Sequence, residues 1–143
     1  MNLRFAFAVN NDNQFNNKYF GDADKFLIYK HVNNKMVLID EEINNFKFFD
    51  EENEYDSKRK VDAIIKLLKE KEVNVLVSMQ FSKNIKIVNK YFIPVIIYSE
   101  KLEDIINILN KHLHWIKDEW NNKSSDFKLF TIKSGILKSY INK

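Results

Sequence analysis

No cysteine occurs in these 143 residues, which excludes disulfides, thiolate metal sites and cysteine nucleophiles. Glycine is almost as scarce, with only Gly21 and Gly135, and Pro94 is the single proline. So few glycines leave no P-loop, dinucleotide-binding turn or serine-hydrolase elbow, each of which needs them at fixed spacing. Imidazole is limited to His31, His112 and His114. The last two stand two apart in a helical pattern, which turns them about 200° from one another and keeps them from chelating one metal ion. No apolar run approaches the roughly 20 residues of a membrane-spanning helix, and Met1-Asn2-Leu3-Arg4 carries no signal-peptide pattern. A cytoplasmic protein without a membrane partner is expected.

Charge of one sign is missing too. The chain has 23 basic and 20 acidic residues, a formal net charge of +3, and the basic residues are dispersed among acidic ones. Nucleic-acid binding concentrates cations on one face, so no nucleic-acid partner is expected. What the chain does have is 45% hydrophobic and 14% aromatic content, enough for one domain with a substantial core. Asparagine pairs such as Asn10-Asn11, Asn33-Asn34 and Asn44-Asn45 separate the apolar stretches and read as turn residues.

Residues 3–9 form an apolar run broken chiefly by Arg4, the pattern of a strand buried on at least part of both faces. Residues 26–29 and 36–39 read as two more strands, joined at Asn33-Asn34 as a hairpin tip. Residues 43–49 either continue the third strand or form an edge segment. An acidic loop over 50–56 follows, and Asp56 or Ser57 then caps a helix carrying Val61, Ile64, Ile65 and Leu68. Residues 73–77 are a β-branched strand, Ser82 caps a helix bearing Ile85, Val88 and Phe92, and 94–98 is the next strand with its proline first. Ser99 caps a long helix to Trp120, with Leu102, Ile105, Ile106, Leu109, Leu113 and Ile116 in one apolar stripe. The order predicts a single three-layer α/β domain over 1–120, with a mixed five-stranded sheet and helices on both faces. Residues 121–143 read as an extension packed on the domain or on a partner, with 127–132 as a sixth strand and 136–141 as a last turn or partner-binding segment.

The stretches Phe5-Ala6-Phe7-Ala8-Val9, Asn10 to Asn13, Tyr19-Phe20-Gly21-Asp22-Ala23 and Phe26-Leu27-Ile28-Tyr29 follow one another as strand, polar loop, turn and hairpin. Residues 67–78 form a helix-to-strand junction, and Phe81-Ser82-Lys83-Asn84-Ile85 forms the loop after it. In this order the blocks resemble the dinitrogenase iron-molybdenum cofactor biosynthesis family over roughly residues 1–111. The resemblance implies a ribonuclease H-like fold and a link to iron-molybdenum or iron-sulfur cofactors. Tyr19 stands where the family's turn carries a histidine, and Ser82 stands where its second loop carries a glycine. The implied protein is non-enzymatic, a binder or carrier of a metal cofactor with the usual histidine ligand missing. The alternative is a structural or protein-interaction module, acting as a homodimer or with a protein partner and binding no metal cofactor.

The loops after the first and fourth strands should meet at the carboxyl edge of the sheet, where ligands of open α/β folds bind. Tyr19, Gly21, Asp22, Ser82, Lys83 and Asn84 are therefore the ligand-binding candidates. A tight turn is the plainer role for Gly21, and core filling the plainer role for Met79. Lys58-Arg59-Lys60 opens the first helix and offers an anion site at its positive end, set against an acidic loop that compensates it. Catalytic and metal-ligand sets are absent: ribonuclease-type catalysis needs an acid on the first strand, and residues 3–9 contain none.

Overall fold

Large and small apolar residues alternate along β1 (Arg4–Val9), and this decides the layering. Phe5, Phe7 and Val9 enter one hydrophobic cluster, while Ala6 and Ala8 enter another on the opposite face. A strand buried on both sides belongs at the middle of a sheet. In the computed structural model, which describes residues 2–48 and 54–140, β1 pairs antiparallel with β2 (Lys25–Val32) and parallel with β4 (Val75–Ser78).

Among the described residues the sheet has seven strands, in the order β3-β2-β1-β4-β5-β6-β7, so the expectation of five is corrected. β3 is Lys35–Ile43 and β5 is Ile93–Ile97; the added strands are β6 (Leu129–Lys133) and β7 (Ile136–Tyr140). Without β6, the main chain of Val95, Ile96 and Ile97 would face solvent along one side; β6 covers it in parallel register. β7 then returns antiparallel through a two-residue turn, with Ser134 at φ 52° and Gly135 at φ 76°. The segment read as a last turn or docking piece is thus the edge strand of the sheet as far as Tyr140; residue 141 lies outside the described residues. The hairpin tip at Asn33 and Asn34 was legible: both adopt positive φ, 51° and 64°, as the same turn type requires.

One helical layer comes from α1 (Glu54–Glu70), whose Val61, Ile64, Ile65 and Leu68 pack on the alanine face of β1 with Phe20, Phe26, Ile28 and Phe92. Asp56 and Ser57 fall inside this helix, not ahead of it, so the expected cap is displaced. The expected acidic loop lies outside the described residues over 50–53, and residue 54 already begins the helix. α2 (Ile85–Val88) is a single turn preceded by a 3₁₀ turn at Ser82–Asn84, so Phe92 lies beyond it. The other layer is α3 (Leu102–Lys111) and α4 (Leu113–Asn122), two helices where one was expected. They part at His112 (φ −110°, ψ 27°), with no proline or glycine present to break them. The apolar stripe nevertheless continues across the break, since Ile105, Leu109, Leu113 and Ile116 bury in one cluster with Phe5 and Phe7. Lys101, not Ser99, precedes α3 and makes no side-chain cap. Among the described residues no helix is long and apolar enough to cross a membrane.

Polar side chains fix the parallel centre. The Asn74 N–H donates to the Arg4 carbonyl (2.9 Å), its Oδ1 accepts from the Arg4 N–H (2.8 Å), and its carbonyl accepts from Ile93 (2.9 Å). One residue therefore sets the starts of β1, β4 and β5. Alternate residues of a strand present their N–H to opposite sides, so Pro94, next to Ile93, turns its nitrogen away from β4. Pairing with β6 begins only at Val95, so the missing N–H costs no ladder bond. Glu119, 6% exposed, accepts from the Lys128 N–H (2.7 Å) and pairs with Lys123 (3.1 Å), which ties the end of α4 to the approach to β6.

His31 on β2 is 7% exposed beside Asn110 of α3. Burial lowers its pKa below the ordinary 6.5, the nearby Asn110 amide offsets this in part, and Lys117 lowers it further. A histidine with a lowered folded pKa contributes fully when neutral and loses that contribution as pH falls below its unfolded value. The melting temperature should therefore fall between about pH 7.5 and about pH 5.5, and His31→Gln should flatten that slope. Equal slopes in the two proteins would show that His31 protonates freely in the fold.

Candidate functional site

The parallel strands β1, β4 and β5 end on one edge, and the chain after β1 crosses to meet the chain after β4. Asn10 organises the first loop: its Oδ1 accepts from the N–H groups of Asp12 (2.9 Å) and Gln14 (3.0 Å), and Asn13 sits at φ 61°. Tyr19 then forms a parallel bridge with Gln80, and the Phe20 N–H donates to the Gln80 carbonyl (2.8 Å). The rings of Phe20 and Phe81 stand 5.5 Å apart beneath this junction. Two loops distant in sequence are thereby joined at the carboxyl edge.

Within the junction the candidate residues divide. Tyr19 and Lys83 are exposed. Ser82 opens the 3₁₀ turn, and Asn84, which closes it, is buried. Gly21 is buried in another 3₁₀ turn, Phe20–Asp22, and Gly135 is the described glycine with positive φ, so Gly21 does not serve a left-handed turn. The Gly21 carbonyl instead accepts from Asn44 Nδ2 (2.8 Å), which also donates to the Ala23 carbonyl (2.9 Å). Asp22 turns inward and pairs with Lys60 Nζ, a fully buried ammonium on α1 that also donates to the Lys47 carbonyl (3.3 Å). The basic run is therefore not a surface anion site at a helix start: it lies in the second turn of α1, and its last member is a core cation. Next to it Asp24 pairs with Lys47 (2.8 Å), and that bond, opposed by burial and aided by the Asn11 N–H, holds its carboxyl below the usual range.

The same edge holds a cleft of about 740 Å³ between the loop after β1 and the start of α3, lined by Asp12, Phe15, Tyr29, Glu100, Lys101 and Glu103 among others. Burial pushes Glu100 up, yet N–H groups of Gly135, Ser99, Glu100 and Tyr98 together bring its carboxyl below the usual range. Tyr29 stacks edge-on against Phe7 at 5.3 Å, and burial, then Glu41, raises its phenol. Sequence reasoning passed over this wall. The Gly135 N–H donates to Glu100 (2.9 Å), which makes this side chain a clamp between the end of β5 and the β6–β7 hairpin.

A family model described as dinitrogenase iron-molybdenum cofactor matches residues 1–112. The chain belongs to that family. No curated protein and no solved structure matches it. The matched segment of this dinitrogenase iron-molybdenum cofactor family member runs from β1 to the residue after α3 and includes both joined loops, whereas α4, β6 and β7 lie beyond it.

Soft metal donors are not gathered at the carboxyl edge. The His31 N–H bonds to Leu3 at the opposite end of β1, and Asn110 Nδ2 bonds to Asn34 at the hairpin tip there, so the end of α3 and His31 share the amino edge. His112 and His114 both meet Trp115, at ring distances of 4.5 and 5.5 Å. Met79 packs partly buried against the core. Among the described residues no group of three or more His, Asp or Glu is placed to hold a metal ion. An iron cluster ligated through imidazole or thiolate therefore does not fit this edge, whose donors are phenol, carboxylate, amide and main chain.

The turn itself depends on Asn44, which is buried and whose Oδ1 also accepts from the Phe46 N–H (3.0 Å). Asn44→Ala leaves two carbonyls and an N–H short of a partner and should cost about 2–4 kcal/mol. Urea denaturation measures this, and an unchanged midpoint would show that the turn holds its shape without the amide.

Proposed function

We propose that this chain is a non-enzymatic binding member of the dinitrogenase iron-molybdenum cofactor family, with the carboxyl edge of β1 and β4 as its binding edge. The family assignment supplies the link to a metal cofactor. One observation carries the choice of edge: Tyr19 and Gln80 join the two loops in which the candidate residues lie. Tyr19, Lys83 and the main chain of the 82–84 turn are the groups offered to a cargo, and Asp22 and Asn84 act from within as supports. With no imidazole at this edge, the cargo is a cofactor or precursor held through hydrogen bonds and oxygen donors, not through histidine. A ribonuclease H-like description of the first five strands is supported by their element order and by the antiparallel β2 beside a parallel β1, β4 and β5.

A second reading, an interaction module that binds no metal cofactor, is favoured by the Asp22–Lys60 pair, which commits the one carboxylate of the turn, itself half-buried, to a buried ammonium. In that reading the docking surface belongs to the folded sheet. The carboxy-terminal residues are no detachable arm, because Phe127, Phe130, Ile132 and Leu137 are buried in the core.

Anaerobic titration with iron-molybdenum cofactor or a precursor tests the first reading. Charge-transfer absorption saturating at micromolar concentration is expected, and Tyr19→His should shift the band and tighten binding by adding an imidazole donor. No band at micromolar concentration in either protein would remove the cofactor role and leave the interaction module.

A further inference from the structure

The two edges of the sheet are unlike. β7 is short, five residues, and carries Lys138 at its centre, so two copies meeting there about a two-fold axis would set lysine against lysine. β3 is nine residues long, and Val37, Leu38 and Ile39 are 45%, 46% and 43% exposed. Three consecutive apolar residues on an edge strand are what protected edges avoid.

The register shows which main-chain groups of β3 are free. His31 lies opposite Met36, and Tyr29 opposite Leu38. The His31 N–H donates to Leu3, hence toward β1 and away from β3. By the alternation of an antiparallel ladder, Tyr29 also faces β1, so Met36 and Leu38 turn their own N–H and carbonyl groups outward. A bulge then follows, because pairing steps from Tyr29–Leu38 to Ile28–Asp40 and leaves Ile39 as the extra residue.

We propose that β3 pairs antiparallel with β3 of a second copy of this chain, about a two-fold axis at Val37. In that register Met36 and Leu38 of one copy exchange main-chain bonds with Leu38 and Met36 of the other, and Val37 meets Val37. Only the straight part of the strand before the bulge supplies these bonds. Side chains agree with the main chain. Met36 packs toward the α3 layer, so Lys35 and Val37 face the α1 side, where Asp40 also lies, paired with Lys71 at 2.8 Å. Lys35 stands opposite Ile39 of the second copy and beside its Asp40, with no ion pair of its own among the described residues. The strand is basic at its start and acidic over Asp40, Glu41 and Glu42, so antiparallel pairing with itself matches charge at both ends while a parallel pairing does not. The symmetry closes at two copies and yields a continuous fourteen-stranded sheet, twice the seven of one copy. About five paired residues per strand is a small interface, so the dimer is concentration-dependent.

Sedimentation velocity of the full chain over a range from low to high micromolar concentration tests this. The wild type should shift from monomer to twice the monomer mass. Leu38→Pro removes only an outward N–H, and Val37→Lys sets like charges on the axis; both should remain monomeric throughout, with unchanged circular dichroism. Ile136→Lys, on β7, should dimerise as the wild type does. A wild type that stays monomeric at the highest concentration, folded β3 variants that still dimerise, or loss of the dimer in Ile136→Lys would each overturn the proposal. None of these outcomes depends on cofactor binding, which is read separately by absorption.

Discussion

Burial of β1 on both faces is the constraint from which the rest of the structure follows. Its phenylalanines require a thick layer on one side, supplied by α3 and α4, and its alanines admit α1 together with Phe20 and Phe26 on the other. A strand so enclosed needs a partner along each edge, which is why β2 returns beside it at once and β4 arrives from across α1. Asn74 then adds alignment to burial, since its side chain and main chain fix where three parallel strands begin. The carboxyl ends of those strands inherit that alignment, and the loops that meet there do so because their starting points are level.

Much of this was legible in the sequence, for identifiable reasons. The first four strands are apolar runs with an asparagine adjoining each, β5 is β-branched and carries the single proline near its start, and Asn33-Asn34 is a turn whose chemistry leaves little choice. The carboxy-terminal hairpin was harder. Ser134-Gly135 is a comparable signal, but residues 136–140 show no alternation of apolar and polar side chains, and they gain a partner only once β6 has covered the bare side of β5. The division of the long helix at His112 has no local signature at all. Cap positions failed for a related reason: Ser99 and Ser82 are good caps by chemistry, yet packing set the helix starts elsewhere.

The candidate edge shows the same limit. Adjacency of the loops around Tyr19 and Ser82 follows from strand order alone, so it could be read in advance. The inward turn of Asp22 could not, because it depends on Lys60, one of three consecutive basic residues that look alike in sequence and are separated only by rotation around α1. Helical geometry sends the third into the core while Lys58 and Arg59 stay in solvent. The cleft walled by Glu100 was invisible for the opposite reason: its parts come from three distant segments, none of which carries a motif.

The carboxy-terminal hairpin also determines how this sheet meets its surroundings. The family match ends at residue 112, before β6 begins, so in this chain the cover of β5 comes from residues outside the matched segment. Covering that flank replaces a hydrophobic central strand with a short, lysine-bearing one as the exposed border. An appendage of some twelve residues thus acts as a selvage, finishing one side of the fabric so that the opposite side alone stays open to another thread.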